Sequence, residues 1–283
     1  MVFGFHISIA GGFVAAVARA VKTGCSTMQV FSRNPRSWHA GALDAQEAAR
    51  FRELLHKHSI TPLFVHMPYL PNLAAQEREL YEKSVRVLGE DLHRAAQLGA
   101  RGLVVHLGHR GNADLDSALT RVAAALNQAC RTARSGVEIL LENAAGQGSE
   151  IGASFSEIEK IISMADDPHR IGICVDTAHA FAAGYNIATQ RGLEKLLAEI
   201  ERLIGLERLR LIHLNDSKTP CGSRVDRHWH IGSGKIGSAG FRRIISHPVL
   251  SRLPAIMETP KKEDEDDLRN MKKILALAQR SQT

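Results

Sequence analysis

Along the chain, short apolar and β-branched runs alternate with longer segments in which apolar residues return every three or four positions. The short runs cover residues 3–8, 27–32, 62–67, 102–107, 138–142, 171–176, 209–214 and 255–258. Each has the length of a buried strand. They start roughly 25–45 residues apart, which leaves room for a helix and two loops each time. The segments 12–23, 45–58, 75–98, 116–133, 155–164, 190–204 and 264–278 carry the helical period. In the first of these, Phe13, Val14, Val17 and Val21 mark the apolar positions. The acidic run at residues 263–267 reads as acids at a helix N-terminus. About eight strand–helix units with no linker or low-complexity tract predict one α/β domain over residues 1–283, a (β/α)8 barrel. A doubly wound sheet is the alternative, but no GxGxxG follows the first strand.

Composition narrows the class without choosing a function. The chain is 44% hydrophobic and 23% charged, which fits a globular protein and not a disordered or collagen-like one. A net charge of +6 permits an anionic partner but does not name it. Cys25, Cys130, Cys174 and Cys221 form no CxxC pair, so they read as reduced thiols in a cytoplasmic protein. No secretory signal is expected at the N-terminus. No apolar run approaches the ~18 residues of a membrane span, so no membrane partner is expected.

The ends of the predicted strands are more specific. In a barrel of this type the active site lies where strands give way to βα loops. Strands three to eight close on His66, His106, Glu142, Asp176, His213 and Glu258. His179 follows three residues after Asp176, and Asp226 and His228 lie in the loop after strand seven. Singly, a histidine closing a strand is most often a hydrogen-bonded structural residue. Six consecutive strands ending in imidazoles or carboxylates are costly to bury around one axis unless cations pair with them. Nitrogen and oxygen donors without thiolates suit zinc, manganese or iron. Nine ligands exceed what one ion takes, so two or three ions sharing a carboxylate are expected. Four carboxylates and three divalent ions would leave a local charge of about +2, which attracts an anion such as phosphate. Paired ions roughly 3.5–4 Å apart serve phosphodiester cleavage.

The segments Val65-His66-Met67-Pro68-Tyr69-Leu70-Pro71-Asn72-Leu73, Leu141-Glu142-Asn143-Ala144-Ala145-Gly146 and Val175-Asp176-Thr177-Ala178-His179 recur in a known order. With His213-Leu214-Asn215-Asp216-Ser217-Lys218, Asp226-Arg227-His228 and Glu258-Thr259-Pro260, they resemble the signatures of the endonuclease IV family. The resemblance runs from Phe5 to the last helix. It implies a xylose-isomerase-like TIM barrel and three zinc ions, with manganese able to replace zinc. His66, His106 and Glu142 would hold the first ion. Glu142 would bridge to a second held by Asp176, His213 and Glu258. His179, Asp226 and His228 would hold the third. Glu142 is then the catalytic bridging carboxylate. A hydroxide between the first two ions would attack the phosphate 5′ to an abasic site, leaving a 3′-hydroxyl and a 5′-deoxyribose phosphate. Removal of 3′-blocking groups would use the same centre.

The resemblance also implies contacts to double-stranded DNA carrying abasic sites or blocked 3′ ends. Arg36, in Asn34-Pro35-Arg36-Ser37-Trp38, matches a loop whose arginine enters the duplex. Tyr69, Leu70 and Asn72 match the loop that replaces the extruded nucleotide. A wedge costs least to insert where a base is already missing. Arg33, Lys218, Arg224, Arg227, Lys235, Lys261 and Lys262 are further candidates for phosphate contacts. His109 is expected to be an exposed loop residue, His230 no ligand, His6 either a core residue or a partner of a ligand, and Cys221 a bystander. A monomer, nucleoid-associated while acting on DNA, is the default. The rivals are a divalent-metal sugar isomerase or epimerase on the same barrel, which needs no third site, and a non-catalytic DNA-binding module.

Overall fold

The computed structural model describes every residue except 134, 264 and 280–283. In chain order the elements are β1 (Val2–His6), α1 (Phe13–Thr23), β2 (Thr27–Phe31), α2 (Ala45–Lys57), β3 (Leu63–His66), α3 (Arg78–Leu98) and β4 (Gly102–Val105). Then come α4 (Leu115–Ala133), β5 (Glu138–Glu142), α5 (Phe155–Ser163), β6 (Ile171–Asp176), α6 (Thr177–Ala183), α7 (Gln190–Leu203) and β7 (Leu209–His213). The chain ends with β8 (Asp216–Ser217), β9 (His228–Trp229), α8 (Gly237–Ser246), β10 (Pro254–Met257) and α9 (Asp266–Gln279). Eight parallel strands close in the order β1-β10-β7-β6-β5-β4-β3-β2, while β8 and β9 form a separate antiparallel pair. The barrel is the fold expected from the pattern, and its strands lie within two residues of the expected bounds.

Three local departures have physical causes. The helix between β7 and β10 leaves no clear period in the sequence, because α8 opens on Gly-Ser-Ala-Gly, in which three of four residues are poor or indifferent helix formers. The extra helix α6 has no polar face to reveal a period, since six of its seven residues are buried. The helix expected from residue 75 starts at Arg78, because Asn72 folds residues 72–75 into a turn by accepting from the Ala74 and Ala75 N–H groups. The expected start of the last helix, residue 264, lies outside the described residues. From Asp266 the helix is present, and the Asp266 carboxylate accepts from the N–H groups of Lys262 and Glu263.

The barrel interior is layered. Phe64, Val104, Leu140, Cys174, Leu211 and Ile256 form their own buried apolar cluster, apart from the larger core between strands and helices. Each lies two residues before His66, His106, Glu142, Asp176, His213 or Glu258. Side chains two apart on a strand share a face, so an apolar floor and a polar layer above it follow from one period. Gly102 and Gly172 make room for the floor. A Cβ at either would come within 2.9 Å of the Leu140 side chain. Among the described residues no helix is long and apolar enough to cross a membrane.

Candidate metal centre

Nine side chains converge above the apolar floor: His66, Glu142, Asp176 and His213 end barrel strands, His106 and Glu258 lie one residue past β4 and β10, His179 is on α6, His228 on β9, and Asp226 in the loop between β8 and β9. His66, His106 and Glu142 bring ligand atoms within 4.8 Å of one another. So do Glu142, Asp176, His213 and Glu258, and so do Asp176, His179 and His228. Asp226 joins the last group, with its oxygens 3.3 Å from His179 Nε2 and 3.4 Å from His228 Nε2. Glu142 faces two ways. Its Oε2 lies 3.2 Å from His66 Nε2 and 3.6 Å from His106 Nε2, and its Oε1 lies 3.0 Å from His213 Nδ1. The sets differ in depth: the His213 and Asp176 side chains are fully buried, while Asp226 is 42% exposed.

The rings are oriented from behind. His66 Nδ1 donates to the Met67 carbonyl at 2.6 Å, His179 Nδ1 to the Asn143 carbonyl at 2.9 Å, and His228 Nδ1 to the Glu258 carbonyl at 3.1 Å. A carbonyl only accepts, so these three rings carry their proton on Nδ1 and aim an Nε2 lone pair inward. His179 Nε2 and His228 Nε2 then face each other at 3.3 Å, with the Asp226 carboxylate beside them. Two lone pairs and an anion repel unless a positive charge sits between them. This donor set therefore fits divalent cations bound by nitrogen and oxygen.

Protonation follows the same pattern. Burial pushes the Glu142 carboxyl up, but His213, His106 and His179 reverse this and hold it well below its usual range. Glu258 behaves alike through His213 and His6, and Asp226 is lowered to about 2, against the effect of burial, by His179 and His228. Burial pushes His179 down, but Asp176, Asp226 and Glu142 raise it well above the usual imidazole value. His213 is likewise raised against burial, by the Cys174 sulfur and the Glu258 and Glu142 carboxylates. Without cations, protons take their place.

Several buried polar groups hold the ligands; Asn143, Asn215 and Asp216 lie inside the motifs quoted above, while Gln29 stands outside them. Asn215 donates to Asp176 Oδ2 at 2.6 Å and accepts from the Glu258 N–H at 2.7 Å. Asn143 accepts from the Asp176 N–H at 2.7 Å. Asp216 is fully buried and accepts backbone N–H bonds from Ser217, Gly234, Ile236 and Gly237. It anchors residues 234–237 to β8, whose Ser217 pairs with His228 on β9. Gln29, also fully buried, contacts both His213 and Glu258. Its one signal is a lone amide inside the apolar run Thr27-Met28-Gln29-Val30-Phe31. His6 lies 2.9 Å from Glu258 Oε1, which makes it a partner of that carboxylate. His109 is exposed, and His230 contacts Asn270 and none of the nine.

The rim departs from expectation at two places. Arg33 is buried, with Nε 2.8 Å from Asp91 and Nη2 2.9 Å from Glu90, so it faces α3 and not the open end of the barrel. Asn72 has both ends of its amide engaged, donating to the His109 carbonyl and accepting from the His109 and Ala74 N–H groups. It clamps the loop and is not free on the surface. Gly108 permits the clamp, since at φ +98° a Cβ there would meet Asn72 Oδ1 at 2.1 Å. Arg36 is exposed. Tyr69 is 66% exposed and Leu70 37%. The Tyr69 ring stands 6.0 Å from the His66 ring and 6.4 Å from that of His106. Beside it, Arg36, Tyr69, His6, Glu258 and Lys261 line a cavity of about 740 Å³. A larger groove, about 1070 Å³, lies on the outer flank between α3, α4 and residues 40–43, and none of the nine side chains lines it. Trp38 packs against the main core, and Lys218 lies over the Trp229 ring at 4.6 Å.

Fold and site together define an α/β TIM barrel whose strand ends gather side chains that could hold metal ions. Residues 17–278 match the family model described as xylose isomerase-like TIM barrel. A protein of Methanoculleus marisnigri named probable endonuclease 4 is 47% identical over 276 residues, covering 97% of this chain and 98% of that one. The crystal structure of endonuclease IV from Thermus thermophilus superposes with a TM-score of 0.88 at 37% identity, covering 99% of this chain and 100% of that one. A D-tagatose 3-epimerase-like protein shares the fold, with a TM-score of 0.74 at 18% identity over the full length of both. The chain belongs to the endonuclease IV family of enzymes.

Proposed function

We propose that this protein is a zinc-dependent DNA-repair endonuclease that hydrolyses the phosphodiester 5′ to an abasic site. The products are a 3′-hydroxyl and a 5′-deoxyribose phosphate, and 3′-blocking groups are removed at the same centre. The observation that carries the reading is the two-faced Glu142, whose oxygens serve two donor sets at once. His66, His106 and Glu142 would hold one cation. Glu142, Asp176, His213 and Glu258 would hold a second, and His179, Asp226 and His228 a third. When bound there, divalent cations would supply positive charge for phosphate oxygens and would lower the pKa of water.

The protein's own groups do the positioning. Hydrogen bonds from behind fix the inward face of His66, His179 and His228 before substrate arrives. Tyr69 and Leu70 project from a loop held by Asn72, with the Tyr69 ring over those of His66 and His106. Such a wedge enters a duplex most easily where a base is missing, because less stacking is lost there. That selects damage without reading sequence. Exposed Arg36, with Lys218 and Arg227, offers charge to the backbone phosphates. The partner is duplex DNA, bound by a monomer. A sugar epimerase is disfavoured by the third donor set and by the exposed aromatic wedge, which a small sugar does not require.

The test is elemental analysis together with a nicking assay. The expected result is about three zinc ions per chain and cleavage 5′ to an abasic analogue in a duplex. One ion or fewer in active protein, or turnover of ketoses without nicking, would reject the reading. Tyr69→Ala is expected to reduce discrimination between abasic and intact duplex about tenfold, more than it reduces general affinity. Competition binding with the two duplexes measures this, and equal losses would leave Tyr69 a packing residue.

A further inference from the structure

The ends of six barrel strands deliver six of the nine proposed ligands. The other two, β1 and β2, place His6 and Gln29 beside them in register. Gln29 is fully buried, and a buried amide is costly unless its donors and acceptor are used. Its Nε2 lies 2.8 Å from Glu258 Oε1, and its Oε1 lies 2.9 Å from His213 Nε2. A carboxylate only accepts, so the amide nitrogen must face Glu258, and the amide oxygen then faces His213. That oxygen also only accepts. His213 must therefore carry a proton on Nε2, which turns its Nδ1 towards Glu142 at 3.0 Å and Glu258 Oε2 at 3.4 Å. His6 Nδ1 lies 2.9 Å from the same Glu258 Oε1 and 3.0 Å from Gln29 Nε2, and since the carboxylate only accepts, the His6 proton sits on Nδ1 and is donated to Glu258. Two donors thus occupy Oε1, and Oε2 is the oxygen left for the centre.

We propose that Gln29 is a positioning residue for the second cation, its one amide setting both the ring face of His213 and the free oxygen of Glu258. The inference rests on the metal-centre reading above. Both ends of the Gln29 amide are engaged by ligand side chains, the nitrogen by Glu258 and the oxygen by His213, so it acts through its neighbours. A methionine at this position has similar length and volume but neither donates nor accepts as an amide does.

The experiment uses the full chain, stripped of metal and titrated with zinc against a competing chelator. Wild type is expected to take up about three ions. Gln29→Met is expected to bind two with unchanged affinity and the remaining one about 10- to 100-fold more weakly. Excess zinc should then restore nicking of the abasic duplex. Gln29→Glu keeps the shape and the acceptor for His213 but sets a second carboxylate against Glu258, so its loss is expected to be at least as large. A residue that merely fills space would leave zinc affinity unchanged in both variants, and that result overturns the proposal. If Gln29→Met fails to fold, Gln29→Glu decides by the same measurement. Wild type that takes up no zinc overturns the metal-centre reading itself, a result separate from any difference between variants.

Discussion

Glu142→Ala is expected to cut cleavage of an abasic duplex by at least about a thousandfold while the barrel stays folded. The magnitude follows from the position of the carboxylate. Its two oxygens lie 3.0 to 3.6 Å from imidazoles of two donor sets, so alanine removes the shared ligand of both. Electrostatic stabilisation by such paired centres amounts to several kcal/mol, and each step of about 1.36 kcal/mol is tenfold in rate. The fold survives because most of the core lies between strands and helices, and Leu140 remains in the floor beneath. Single-turnover nicking and circular-dichroism melting are the measurements. Activity within about tenfold of wild type would remove Glu142 from the centre.

Metal removal is expected to reverse the sign of the pH dependence of stability above neutrality. In the stripped protein His179 and His213 sit well above the ordinary imidazole value of 6.5. A group raised on folding contributes stability that is full below its unfolded pKa and is lost as pH rises through its folded pKa. Stripped protein therefore loses stability as pH climbs above about 6.5. Zinc-loaded protein gains over the same range, because cations must displace those protons and binding tightens as they become scarce. Below about 6.5 other groups intervene. His106, lowered by burial to about 4, and His6, also lowered by burial, contribute stability that is lost as pH falls. Glu142 and Glu258 do the same at lower pH, since in the folded protein they titrate below the ordinary carboxyl value of 4.5. Melting temperatures of stripped and zinc-loaded protein between about pH 6.5 and about pH 9 test the two slopes. Parallel slopes would contradict the account of protons standing in for cations.

Much of the centre is legible in one dimension because strands impose a period of two. An apolar residue, a spacer and then a histidine or acid recur at the ends of β3, β5, β6 and β7. The same spacing carries one residue past β4 and β10, to His106 and Glu258. Asp226 and His228 can be read only from a motif, since the loop that bears them has no periodicity of its own. Arg33 and Arg36 lie three residues apart and look alike in sequence. Only packing buries the first against Asp91 and leaves the second exposed.

The sequence by itself determined the barrel, the depth of the ligand layer and the kinds of donor in it, because these follow from local period and residue chemistry. Tertiary structure decided which oxygen of Glu142 meets which imidazole, that Asn72 clamps a loop, and that Gln29 spans His213 and Glu258. Those contacts join residues 37 to 229 positions apart. Their geometry exists only once the closed sheet brings distant strand ends around one axis.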